Sequence, residues 1–150
     1  MAMNKFYKNI ISPFKLNKII NNDKLKIIDC RWYINDKRKG EQEYIKEHIP
    51  GAIYFDLEEN SDLNNPIPHM LPKKEKFISF LKNNGVSQDH DIVIYDQVGF
   101  FCSSRVWFTF AYYNFKNIKI LNGGIKYWKE NNFVLSNQEK TTFVKKKNTT

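Results

Sequence analysis

Cysteine is scarce in this chain. Of 150 residues only Cys30 and Cys102 are cysteines, and their separation fits neither a metal-ligand pair nor a disulfide framework. A reducing compartment is the expectation. Long apolar runs are missing too: nothing approaches the roughly 18 residues that suggest a membrane span, and no apolar core near the start resembles a secretory signal. The chain is therefore expected to be cytoplasmic. Its first acidic residue is Asp23, but this basic start lacks the arginine of a mitochondrial presequence. Pro13, Leu16, Ile19 and Ile20 read instead as a first helix. No internal similarity recurs at a solenoid period.

What is present supports one sizeable core, because 41% of the residues are hydrophobic and 15% aromatic in a chain of single-domain length. The net charge of +8 comes mostly from lysines scattered along the whole length. No basic face is therefore read as a nucleic-acid footprint, and neither a nucleic acid nor a membrane is expected as a partner. Lys145, Lys146 and Lys147 lie in a polar tail ending Asn148, Thr149, Thr150. The expected organisation is a domain over 1–136 and the solvated start of an inter-domain linker over 137–150.

Short apolar runs alternate with helical patterns. Leu25 to Cys30, Ile53 to Phe55, Ile92 to Tyr95 and Ile118 to Leu121 read as strands, the third being near-continuously apolar as in a sheet covered on both faces. Helices are predicted over Glu41 to Glu47, stopped before Pro50 and Gly51, and from Pro72 to Asn84-Gly85 with Phe77, Phe80 and Leu81 inward. A third, capped by Ser103 or Ser104, runs through Val106, Trp107, Phe108, Phe110 and Tyr113 and is apolar nearly all round, hence buried. Gly123-Gly124 turns the chain into a last helix with Ile125, Tyr127 and Trp128, ended by Asn131-Asn132. This alternation predicts a three-layer α/β domain with a mainly parallel central sheet flanked by helices.

The run Tyr44-Ile45-Lys46-Glu47-His48-Ile49-Pro50-Gly51-Ala52-Ile53-Tyr54-Phe55 resembles the first signature of the rhodanese family. Other segments agree with it in order: Ile27-Ile28-Asp29-Cys30-Arg31-Trp32, Phe55-Asp56, Tyr95-Asp96, and Leu121-Asn122-Gly123-Gly124 followed by Trp128. Pro68-His69-Met70-Leu71-Pro72 and Arg105-Val106-Trp107 resemble the amino-terminal half of two-domain thiosulfate or 3-mercaptopyruvate sulfurtransferases. The resemblance implies the rhodanese-like fold and, as partners, a carboxyl-terminal rhodanese domain bearing the catalytic cysteine and a small sulfur-donor substrate. It calls for no cofactor and no metal. His48 and Gly51 are read as turn-forming residues, with Gly51 in a backbone conformation that a side chain resists. Asp29 and Arg31 are expected to pair or to fix neighbouring loops.

In active rhodaneses, the resemblance implies, a cysteine directly follows the strand equivalent to Ile92–Tyr95. A ring of backbone N–H groups and the next helix's amino terminus stabilise its thiolate and persulfide. Here that position is Asp96, which suits an anion nest but cannot hold a sulfane sulfur. Cys102, six residues on, is expected to be a small packed thiol; a helix amino terminus and Arg105 are the features that would make it reactive. A phosphatase-type loop is excluded, because Cys102 and Arg105 have only two residues between them and cannot wrap a phosphate. A stand-alone interaction module using the fold without catalysis is the alternative reading, and the linker-like end favours the half-enzyme over it.

Motif matching brings an acidic residue and a histidine known from this half of mercaptopyruvate sulfurtransferases onto Glu58 and His69; the family more often shows aspartate at the acidic place, and Glu59 is adjacent. A carboxylate hydrogen-bonded to an imidazole would hold its tautomer and raise its basicity for proton handling beside a thiolate.

Overall fold

The computed structural model describes residues 7–34 and 37–138. Five strands form one sheet: β1 (Ile10–Ile11), β2 (Leu25–Asp29), β3 (Ile53–Tyr54), β4 (Asp91–Tyr95) and β5 (Ile118–Leu121). Their spatial order is β1-β5-β4-β2-β3, and every pairing is parallel. The helices are α1 (Pro13–Ile19), α2 (Gly40–Lys46), α3 (Lys74–Asn83), α4 (Ser103–Tyr112) and α5 (Gly124–Glu130). None is long and apolar enough to cross a membrane.

Strand side chains alternate between faces, so the sheet separates two cores. Ile28, Ile92, Ile94 and Ile118 pack with Phe77 and Phe80 of α3 and Val106 and Phe110 of α4. On the opposite face Ile27, Val93, Tyr95 and Leu121 pack with Leu16 of α1, Tyr44 of α2, and Ile125 and Trp128 of α5. The three-layer α/β architecture follows from that division.

The chain moves outward from β2 to β3, then returns across β2 to β4. The carboxyl ends of β2 and β4 therefore flank a topological switch point, the usual ligand crevice of such sheets. Asp29 and Tyr95 end those strands side by side.

Several boundaries differ from those predicted. β1 carries no pattern of its own and is held by pairing with β5. β2 stops at Asp29, although the Cys30 N–H still donates to the Tyr95 carbonyl at 3.0 Å. β3 stops at Tyr54, and Phe55 N–H donates to the Asp29 carbonyl at 2.8 Å. α3 begins at Lys74, not Pro72, because its first helical bond runs from Phe77 N–H to the Lys73 carbonyl. Pro72 instead offers its carbonyl to the Tyr113 hydroxyl at 2.5 Å. The predicted burial of α4 all round also fails: Phe108 and Tyr112 are 49% and 59% exposed, since only one face of the helix meets the sheet. At the far end Ser136 pairs with His48, and the Gln138 carbonyl lies 2.8 Å from His48 Nε2. The rest of the expected linker lies outside the described residues.

Candidate active-site loop and its supports

The signature residues tie the strand ends together. Asp29 is wholly buried and faces the Arg31 guanidinium, with Nη2 to Oδ2 at 2.7 Å and Nε within 3.1 Å of both oxygens. Burial, the largest single influence, lowers the Arg31 pKa, but the charge and hydrogen bonds of Asp29, with smaller contributions from Tyr95 and Tyr33, together outweigh it and the net shift is upward. Arg31 Nη2 also donates to the Glu47 carbonyl at 2.7 Å, so the pair fixes the turn that follows α2. The Tyr95 hydroxyl donates to Asp29 Oδ2 at 2.7 Å and accepts the Ile49 N–H at 3.2 Å. His48 is buried, with Nδ1 2.6 Å from the Tyr44 carbonyl and its ring stacked on Tyr44. Gly51 has φ 80°, the left-handed turn expected of it. These residues are a scaffold.

Asp96 follows β4 directly and is fully buried. Its Oδ1 accepts the N–H groups of Val98 (2.9 Å) and Gly99 (2.6 Å), and its Oδ2 those of Cys102 (2.8 Å) and Ser103 (3.0 Å). The loop 97–103 is thus wrapped around one carboxylate, and the amino terminus of α4 contributes two of the four donors. Four converging N–H groups plus a helix dipole form a site for negative charge. The predicted Ser103 or Ser104 cap is replaced by this arrangement. Cys102 holds the N-cap position with no side-chain cap bond, and the Ser103 hydroxyl turns back to the Gly99 carbonyl. A Cβ at Gly124 would lie 2.5 Å from the Asp96 carbonyl oxygen, so the start of α5 packs directly under the loop.

Neither cysteine is presented to a substrate. Cys102 is 4% exposed and its thiol donates to the Cys30 carbonyl at 3.1 Å. Cys30 is wholly buried beside it; desolvation, reinforced by its hydrogen bond with Cys102, pushes its thiol pKa well up. Arg105 makes its hydrogen bonds elsewhere: Nε and Nη2 both donate to the His69 carbonyl, at 2.8 and 2.6 Å.

Glu58 and His69 come near one another without a hydrogen bond between them. Trp32, which motif reading placed in the strand signature without a role, stands at both. Its indole N–H donates to Glu58 Oε1 at 3.0 Å, and its ring meets the His69 imidazole edge-on, centroids 4.8 Å apart. The Trp32 carbonyl accepts from Gln97 Nε2 at 2.5 Å, which links this group to the Asp96 loop. Trp32 also stacks on Phe101 at 6.3 Å. Beside the loop a cavity of about 600 Å³ is walled by Arg31, Tyr33, Val98, Phe101, Lys126 and Lys129 among others. Another, of about 380 Å³, is lined by residues including Trp32, Tyr54, Asp56 and Glu58. His69 lines neither of these two cavities, so Glu58 and His69 share neither.

The strand-end scaffold and the anion-binding loop define a rhodanese-like domain, and the chain belongs to that family: the family model for the rhodanese-like domain matches residues 12–131. Among individual relatives, the chain is 35% identical over 138 residues to a probable 3-mercaptopyruvate sulfurtransferase of Schizosaccharomyces pombe, covering 89% of this chain and 46% of that protein. It is 34% identical over 134 residues to the thiosulfate sulfurtransferase of Rattus norvegicus, covering 85% and 45%. The crystal structure of SseA, a 3-mercaptopyruvate sulfurtransferase from Escherichia coli, superimposes with a TM-score of 0.85 at 32% identity, covering 89% of this chain and 52% of that one. The chain spans about half the length of the relatives it matches.

Proposed function

We propose that the chain is the amino-terminal, non-catalytic half of a two-domain sulfurtransferase that takes sulfur from thiosulfate or 3-mercaptopyruvate. The observation that carries this reading is Asp96, buried directly after β4 with four backbone N–H groups on its carboxylate. That is where an active rhodanese needs a thiolate to accept sulfur and hold it as a persulfide, and a carboxylate has no sulfur to do so. Cys102 offers no substitute, being buried and committed to the Cys30 carbonyl.

The partner is a carboxyl-terminal rhodanese domain carrying the catalytic cysteine. Val98, Phe100 and Phe101 expose apolar side chains on the loop around Asp96, and Leu63, Ile67 and Met70 do so on the segment that carries His69. An inter-domain interface commonly buries on the order of 600–1,500 Å², and these residues supply apolar surface for one. Glu58 and His69 then complete the partner's site, the imidazole moving a proton at the sulfur or the leaving enolate. Two free, buried thiols fit a reducing, cytoplasmic setting.

The test is a chimera in which this chain replaces the matched segment of the Escherichia coli 3-mercaptopyruvate sulfurtransferase. Turnover of 3-mercaptopyruvate by the chimera, lowered by His69→Asn without loss of folding stability, supports the reading. A folded chimera indifferent to His69→Asn removes the histidine from the reaction. A chimera whose two halves fold but do not associate favours a stand-alone interaction module.

A further inference from the structure

Arg105 is an arginine without a carboxylate. In the first turn of α4 it donates from Nε and Nη2 to a single atom, the His69 carbonyl oxygen, at 2.8 and 2.6 Å. No ion pair to it occurs among the described residues. Burial pulls its pKa downward, so its position sacrifices hydration of the charge. The fork geometry of a guanidinium suits two convergent bonds in a way an ammonium does not.

The group it holds needs holding. His69 has φ 60°, in the left-handed region where the Cβ of an L-residue crowds the backbone. Among the described residues the other non-glycine positions with positive φ are Asn114 and Asn132, each just past the end of a helix, where asparagine commonly takes this conformation. His69 ends no helix. A strained residue persists only where its surroundings over-determine it, and such residues cluster at functional sites. Here Arg105 grips the carbonyl of His69, while the Tyr113 hydroxyl, from the end of α4, holds that of Pro72 at 2.5 Å. The outcome of this backbone is an imidazole standing against Trp32 at 80° and 4.8 Å, with Glu58 on the indole N–H.

We propose that Arg105 is a positioning residue: its two-pronged hold on the His69 carbonyl keeps that backbone left-handed and so fixes the imidazole beside Trp32 and Glu58. The inference rests on the reading of His69 as the proton carrier offered to a partner domain.

The experiment is NMR of the histidine rings in the 150-residue chain, native and as Arg105→Met, which keeps the stem and removes the donors, and Arg105→Lys, which keeps the charge without the fork. His48, stacked on Tyr44, serves as an internal control of folding. In Arg105→Met the His69–Trp32 cross-relaxation falls severalfold while that between His48 and Tyr44 persists, and Arg105→Lys gives an intermediate decrease. Undiminished His69–Trp32 cross-relaxation in folded Arg105→Met overturns the proposal. If Arg105→Met disturbs the His48 ring as well, Arg105→Lys decides: a His69–Trp32 signal at its native strength overturns the two-pronged hold, and a weakened one beside an undisturbed His48 supports it. In the chimera, Arg105→Met lowers kcat on the order of tenfold with KM unchanged, and has no further effect in a His69→Asn background. Should His69→Asn itself cost no turnover, the reading of His69 fails, while the ring signals still judge Arg105.

Discussion

The carboxylate of Asp96 accepts the backbone N–H of Cys102 at 2.8 Å, six residues downstream, and so pins the start of α4 to the end of β4. With the bonds from Val98, Gly99 and Ser103 it turns a potential anion-binding site into a finished piece of structure. Asp96→Asn turns one oxygen into a donor group facing other donors. A bond to a charged group contributes about 1.5–3 kcal/mol and an orphaned buried donor costs a further increment, so urea denaturation of Asp96→Asn should show a loss of about 3 kcal/mol or more. A loss under about 1 kcal/mol would mean that the loop does not depend on this carboxylate.

Asp29 and Arg31 form a buried pair that also reaches Tyr95 and the Glu47 carbonyl. Removing one partner leaves an uncompensated buried charge, at a cost of about 3–5 kcal/mol. Arg31→Met is predicted to lose that much stability by urea unfolding, and the double variant Asp29→Asn/Arg31→Met to recover part of it. Equal losses in the single and double variants would show that the charge itself is not what the arginine answers.

Stability is predicted to fall in alkali. Burial, with added repulsion from Asp29 on Tyr95 and the hydrogen bond with Cys102 on Cys30, raises the folded-state pKa of Cys30 well above 9.0 and of Tyr95 well above 10.0. Above those values the unfolded chain has released these protons while the folded chain retains them. The unfolded state then binds fewer protons, and stability drops by about 1.4 kcal/mol per pH unit for each such group. Urea midpoints measured from pH 8 upward should decline from near 9 and steepen beyond 10, and Cys30→Ala should remove the first part of the slope. A flat profile would contradict the burial of both groups.

Much of the fold is legible in the sequence because buried parallel strands are short continuous apolar runs, and glycine, proline and asparagine mark the ends of the helices between them. β1 is not legible, because two isoleucines carry no pattern and only pairing with β5 makes them a strand. The composition of α4 suggests burial all round, yet Phe108 and Tyr112 face outward, and composition does not record facing. In the candidate site, the family resemblance points to Asp96, Glu58 and His69. The partners of these residues are not legible: Trp32 lies 26 residues from Glu58 and Arg105 lies 36 from His69. The bond of Trp32 to Glu58 replaces the carboxylate–imidazole bond that motif matching suggests.

The most direct measurement is a sulfur-transfer assay on this chain alone, with thiosulfate and with 3-mercaptopyruvate as donors and cyanide or a thiol as acceptor, followed by mass spectrometry for a bound sulfur atom. No turnover and no persulfide are predicted, because in the proposed reading Asp96 stands where a sulfur nucleophile is required. Turnover of about 1 per second or more, within the ordinary range of enzymes, would contradict the account. Its disappearance in Cys102→Ser would make that cysteine the nucleophile.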